Sequence, residues 1–305
     1  MVGVLIFSRN IGEIAVIFAS ITLEGQKAYH ACLAQMPEKT SDYSFVNLWG
    51  WGSHYGLEWC WDAGLVFLRQ TIPAPVYWAP VGAWDRVDWG RVFSTLPGPL
   101  HFVRVPEALV DLWRSAEVPM TVTEAREHWD YMYSVEELAS LAGRRFHSKK
   151  NLVNQFVRDH VFQLVALDER TVECALALQT EWFLWRDTEN DATLAAENHA
   201  IVRVFHDWSR LEGIVGAGIA VDGKMIAYTV ADALDDTTLV IHFEKGCPQF
   251  RGVYQAINQM FLDRFAQGFA WVNREQDLGD EGLRRAKLSY HPAFFMKKST
   301  VTVIL

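Results

Sequence analysis

Toward the C-terminus, two blocks of polar residues each follow a run of strand-forming ones. In the first, Leu239-Val-Ile-His-Phe-Glu-Lys, an apolar strand delivers Glu244 and Lys245 at its end, and a turn holding Arg251 and Gly252 then opens a helix. Backbone amides left free at a helix start, with an arginine beside them, bind phosphate. A plain helix entry would read the same way. In the second block a strand ending at Asn273 runs into Arg274, Glu275, Asp277, Arg284, Lys287 and Tyr290. Ligands bind at strand ends in open α/β sheets, so these side chains are candidates to line a reaction cavity. The alternative is an ion-paired loop held by Asn273 and Asp277. Glu197, opening a helix with His199 nearby, is a secondary candidate.

Other chemistries lack their residues. Cys32, Cys60, Cys174 and Cys247 lie far apart with no metal-ligand spacing, so neither a zinc site nor a disulfide framework is expected, and a reducing cytoplasm fits best. No nucleophile-elbow serine, phosphate-binding loop or zinc-protease helix motif is present. His54, His147 and His242 stand alone and receive no ligand role. The aromatic stretch from Asn47 to Tyr55 could stack on a substrate, although buried packing is its simpler use.

The elements that must position these residues follow from periodicity and turn chemistry. Glu197 to Leu211 reads as a helix, and Ile214 to Val221 and Lys224 to Ala231 as strands joined by an Asp222-Gly223 hairpin turn. Leu239 to Glu244 is a strand, Val253 to Phe265 a helix and Phe269 to Asn273 a strand, an α+β order with a crossover at its centre. In the first half, strands are expected at Gly64 to Arg69, Pro75 to Ala79, Leu100 to Val105 and Trp129 to Ser134, with a helix from Pro106 to Ala116. Two openings resemble each other, Ile21 to Leu33 and Val165 to Leu178: each is a short strand, an acidic cap such as Asp168, and a helix. The repeat implies two copies of one architecture. The expected organisation is an extension or first strand over 1–20, a first unit over 21–143, a basic linker helix over 144–160 and a second unit over 161–305.

Half of the 305 residues are hydrophobic and 21% are charged, enough apolar material for two folded cores and no signature of long disorder. The first twenty residues are apolar but broken by Arg9 and Glu13, so no stable membrane insertion is expected from them. A net charge of −9 argues against a surface that coats nucleic acid broadly, yet leaves room for a local basic groove. Arg144, Arg145, Lys149, Lys150 and Arg158 form one run free of acidic residues, and Arg284, Arg285, Lys287, Lys297 and Lys298 form another. Facing each other, the two runs would make such a groove; apart, they are solvated faces.

Several phrases carry a resemblance to a known family. His242-Phe-Glu-Lys, Tyr254-Gln-Ala-Ile-Asn-Gln, Val272-Asn-Arg-Glu-Gln-Asp-Leu-Gly and Gly282-Leu-Arg-Arg-Ala-Lys-Leu-Ser-Tyr-His-Pro are similar to the C-terminal domain of the phosphatidylglycerol lysyltransferases. So are Tyr131-Met-Tyr-Ser and Gly143-Arg-Arg-Phe-His-Ser-Lys-Lys-Asn, and the similarity runs from about Ile21 to Lys298. The resemblance implies an α/β fold of two tandem GNAT-like acyltransferase units, the second holding the reaction site. It also implies aminoacyl transfer from an aminoacyl-tRNA to a small-molecule or lipid hydroxyl or amine. That chemistry needs no metal or redox cofactor: carboxylates, an arginine or lysine and a tyrosine suffice to orient a nucleophile and stabilise an oxyanion.

On this reading Glu244, Arg274 and Glu275 line the cavity, with Glu244 or Glu275 as a base, and Arg284, Lys287 and Tyr290 contact an anionic substrate. Lys245, Asn273 and Asp277 complete the substrate side, and Arg144, Arg145, Lys149 and Lys150 meet the nucleic acid. GNAT enzymes hold the pyrophosphate of acetyl-CoA where Arg251 and Gly252 stand here, so acyl-CoA is the alternative donor. A non-catalytic binding protein on the same fold is the third possibility. The lipid-modifying relatives place their catalytic region after a many-helix membrane domain that this chain lacks, so a soluble member of the family is expected.

Overall fold

The computed structural model describes residues 17–186 and 192–304. In the second half the elements follow the residue pattern closely. Ile214–Val221 and Lys224–Ala233 pair antiparallel across Asp222 and Gly223, which take φ of 51° and 78° as a two-residue hairpin requires. Thr238–Gly246, the helix Val253–Phe265 and the strand Trp271–Asn273 follow. The helix expected over 197–211 runs earlier, Ala192–His206, and a 3-10 turn at Trp208–Arg210 completes the stretch.

The two similar openings differ in length. In the second, the strand Phe162–Ala166 leads to Asp168, whose Oδ1 accepts from the amides of Arg170 and Thr171 at 2.9 and 2.8 Å, ahead of the helix Val172–Arg186. In the first, the strand is only Ala19–Ser20, a 3-10 turn replaces the cap, and the helix Gln26–Leu33 follows. Ile21, expected to begin that strand, is buried just beyond it. Residues 1–16 of the expected extension lie outside the described residues.

Two mixed sheets result, each with one parallel pair, and together they make two tandem GNAT-like units. The first runs Ala19–Ser20, Glu58–Asp62, Leu65–Gln70, Val76–Trp78, His101–Pro106, Lys298–Val303, Met120–Glu124, with Val81–Gly82 also paired to Leu65–Gln70. The second runs Phe294–Met296, Asp130–Ser134, Trp271–Asn273, Thr238–Gly246, Lys224–Ala233, Ile214–Val221, Phe162–Ala166. The sheets therefore exchange strands across the boundary expected at 143–144. Asp130–Ser134 lies in the second sheet, between Trp271–Asn273 and Phe294–Met296, and the C-terminal Lys298–Val303 lies in the first. Between them the basic segment forms the helix His147–Asp159, which buries Val153 and Phe156.

A continuous hydrophobic core joins the units. The aromatic stretch is the helix Phe45–Tyr55, capped by Ser44, whose Oγ accepts from the Val46 amide. It packs on Ala192–His206 at Gly50, where an added Cβ would meet Val204 at 3.1 Å. Its Phe45 and Leu48 are buried while Trp51, His54 and Tyr55 remain partly open. No helix among the described residues is long and apolar enough to cross a membrane.

Candidate active site

The parallel pair of the second sheet holds only from Thr238 and Trp271 to Val240 and Asn273. Beyond it Thr238–Gly246 continues as a strand while the chain after Asn273 turns away, so the two strands part. Glu244 and Arg274 meet across the gap: Arg274 Nη2 donates to Glu244 Oε1 at 3.0 Å, and Asn258 from the helix Val253–Phe265 donates to the other carboxylate oxygen at 2.9 Å. The Arg274 guanidinium lies 4.8 Å from the centre of the Tyr290 ring, and its Nη1 is buried with no hydrogen-bond partner among the described residues. Lys149 stands 4.3 Å over the same ring and donates to Ser289 Oγ at 2.7 Å. Burial first, and the Arg274 charge second, hold the Lys149 ammonium below the usual lysine range. A buried ion pair with one spare N–H, flanked by a second cation, can receive a carbonyl or anionic oxygen.

Glu275 follows past the strand, in the turn, and meets a different set of partners. Its backbone is left-handed at φ 58°, its N–H donates to Asn273 Oδ1 at 2.7 Å, and its carbonyl accepts from the Tyr131 amide at 3.1 Å. Glu275 Oε1 accepts from Asn47 Nδ2 at 2.7 Å and lies 2.9 Å from His242 Nδ1. The other ring nitrogen of His242 is 2.9 Å from Asp232 Oδ1, and Ser44 Oγ donates to Asp232 Oδ2 at 2.8 Å. The His242 side chain is fully enclosed. Burial alone would strip its charge, but Asp232, together with hydrogen bonds to both carboxylates, raises its pKa to about 9.

Sequence reasoning passed over His242 and Asp232. The available signal was a histidine inside Leu239-Val-Ile-His-Phe and an aspartate inside Tyr228-Thr-Val-Ala-Asp, apolar strands in which a polar group must find partners.

A third cluster pins the two units together. Asp130 accepts from the Ser41 amide and from Asn273 Nδ2, each at 2.8 Å, from Ser41 Oγ at 2.9 Å and from Lys298 Nζ at 2.6 Å. Lys298 also bonds Asp42, which pairs with Arg104. Two carboxylates and two cations thus balance in the interior, and the cations hold the Asp42 carboxyl well below its usual range against the opposing effect of burial. Asn273 is fully buried and works here as a brace.

Asp277 is likewise structural. It takes both Arg284 contacts at 2.9 Å, Arg126 at 3.2 Å and the Tyr131 hydroxyl at 2.6 Å, which ties up Arg284. Lys287 donates to the carbonyls of Arg274 and Gln276 at 2.6 and 2.5 Å, bracing the turn beneath the site, and burial lowers its pKa to about 8. Lys287 is turned inward, and Arg284, its side chain 35% exposed, is held by Asp277, so neither stands as the free cation that the sequence suggested.

Other expected residues lie apart from the strand gap. Lys245 points opposite to Glu244, pairing with Glu197 at 2.7 Å and sitting 4.0 Å over the Trp182 ring. Arg251 is exposed, and Gly252 has φ 86° with the Leu152 carbonyl 2.3 Å from where a Cβ would stand. That glycine is explained by the close approach of the helix His147–Asp159. Arg144, Arg145 and Lys150 are exposed, Arg145 paired with Glu137, so the first basic run forms an outer face that touches the site through Lys149. The second run forms no matching wall. Lys298 is buried, Arg284 and Lys287 are engaged internally, and Arg285 and Lys297 pair with Glu281 and Glu107.

Known proteins share this arrangement of strands. A conserved protein of unknown function from Bacteroides thetaiotaomicron VPI-5482 superposes with a TM-score of 0.87 at 26% identity, covering 95% of this chain and 100% of that one. The structure of L-PGS from Bacillus licheniformis superposes at 0.63 with 12% identity, covering 97% and 94%. An uncharacterized protein of Mycoplasmoides gallisepticum is 22% identical over 176 residues, 57% of this chain and 56% of that curated relative, so the match spans little more than half its length. The family model described as phosphatidylglycerol lysyltransferase, C-terminal, matches residues 33–302, and the chain belongs to that family.

Proposed function

We propose that this protein transfers an aminoacyl group from an aminoacyl-tRNA to a hydroxyl or amine of a small-molecule or lipid acceptor. The observation that carries the reading is the Glu244–Arg274 pair in the strand gap, with Arg274 Nη1 buried and unpartnered among the described residues. An aminoacyl ester offers a carbonyl oxygen that becomes an oxyanion under attack, and an α-ammonium group. Arg274 Nη1 suits the first and a carboxylate the second. In the exchange the acceptor loses one proton and the departing ribose hydroxyl gains one, so a carboxylate, Glu244 or Glu275, needs only to pass it across. Membership in the lysyltransferase family and the fold shared with L-PGS support the same reaction class.

The basic face of His147–Asp159, leading to the gap through Lys149, suits the tRNA phosphates on a molecule otherwise at net −9. Phosphate contacts predict binding at low salt that weakens steeply as salt rises, with a smaller slope in Lys150→Glu. Filter binding with total tRNA checks this. Salt-insensitive or absent binding would sink the reading, and protection against heat by coenzyme A instead would favour an acyl-CoA donor.

A further inference from the structure

We infer that His242 is a positioning residue: it clamps one oxygen of the Glu275 carboxylate and leaves the other for the acceptor. The inference deepens the proposed aminoacyl transfer and rests on that reading for its kinetic consequence. The backbone sets the arrangement. In the pairing of Lys224–Ala233 with Thr238–Gly246, Val230 faces Phe243 and Ala231 faces Ile241, which leaves His242 as the extra residue of a bulge. Bulges re-aim side chains next to functional sites, and this one turns the ring between carboxylates from two different elements.

Both ring nitrogens stand 2.9 Å from carboxylate oxygens, a geometry satisfied when each nitrogen carries a proton. Asp232 takes a further donor from Ser44 and Glu275 one from Asn47, so both carboxylates are hydrogen-bonded as anions. The charged groups within hydrogen-bond reach of the ring are Asp232 from its own sheet and Glu275 from the loop after Trp271–Asn273, a loop that Lys287 braces from the helix Glu281–Leu288. Glu275 Oε2 accepts no hydrogen bond among the described residues, and the side chain is 18% exposed.

A carboxylate with one oxygen held by His242 and Asn47 keeps a fixed direction for a hydrogen bond at the other. It suits orienting the attacking hydroxyl or amine, leaving Glu244 closer to the proton transfer. Removing the imidazolium leaves Asp232 and Glu275 as like charges with no cation between them, so Glu275 loses the partner that fixes its side chain.

The test is NMR on the full chain, with ring nitrogens of 15N-histidine and side-chain carboxyls of 13C-glutamate followed against pH. In the unmodified protein His242 is expected to be doubly protonated at pH 7.5. In His242→Gln the Glu275 carboxyl resonance is expected to move and broaden as the side chain loses its fixed position. A neutral His242 ring at pH 7.5, or a Glu275 carboxyl resonance unchanged by His242→Gln, would overturn the inference whether or not aminoacyl transfer is found; absence of transfer with both NMR results as expected would defeat the proposed reaction alone. Where transfer is measured, His242→Gln should lower kcat with KM little changed and remove the fall in kcat that the unmodified protein shows as His242 loses its proton near pH 9. A loss of stability with an unmoved profile would reduce His242 to a structural role.

Discussion

Lys298 shows how one side chain can decide whether the interior is balanced. It is completely buried between Asp42 and Asp130, and replacing it with methionine would leave two adjacent carboxylates with Arg104 as their remaining cation. Removing one partner of a buried ionic cluster costs about 3–5 kcal/mol, so Lys298→Met should lose that much stability in urea titration. A loss near zero would contradict the ion network. His242 predicts a pH dependence with a definite sign. Its folded pKa of about 9 lies above the ordinary 6.5, so its stabilisation is complete below 6.5 and is lost as pH rises through 9. Lys287, lowered to about 8, acts oppositely above that value, so the clean window is 6.5 to 8. Stability should fall across that window, and the fall should be absent in His242→Gln. The polar strand end that holds Glu244 and Arg274 stood out in the sequence, but the same stretch holds Asn273, Asp277 and Lys287, which turn inward as braces, so residue type alone does not separate the two uses. Asp42, Asp130, His242 and Lys298 did not stand out, because each is paired by a residue distant in sequence, and spacing along the chain does not carry that information.

Helices and strands with local determinants were legible almost to the residue: Ile214–Val221 from its apolar run and the Asp-Gly turn that ends it, and Val253–Phe265 from its helical period. What was hidden was partnership. The helix start at Gly252 read as a possible phosphate cradle, yet the Leu152 carbonyl occupies the place where a side chain would begin. Gly252→Ala meets both that carbonyl and an unfavourable positive φ, and should cost more than about 1 kcal/mol. Thermal unfolding without any ligand checks this, and a neutral effect would reopen the phosphate reading. At the helix Glu281–Leu288, Asp280 Oδ1 accepts from the Leu283 amide at 2.6 Å, a local cap whose loss in Asp280→Ala should cost about 1 kcal/mol without disturbing Arg274.

At the scale of the whole molecule, the exchange of strands makes the two units interdependent. A fragment starting at Val161 lacks Asp130–Ser134, which lies between Trp271–Asn273 and Phe294–Met296, and one ending at Gly143 lacks Lys298–Val303. Neither should unfold cooperatively when followed by circular dichroism; a cooperative fragment would show that the exchanged strands are dispensable. The same exchange brings Asp130, Asn273 and Lys298 into one cluster at the end of the strand that leads into the gap.

Aminoacyl transfer is measured most directly by supplying the purified protein with tRNAs charged with labelled amino acids, together with extracts of small molecules and lipids. Label should move into a product other than free amino acid, with a loss of about a hundredfold or more in Arg274→Ala. Label released only as free amino acid at the rate seen without protein, or transfer undiminished in both Arg274→Ala and Glu244→Gln, would contradict the proposed reaction.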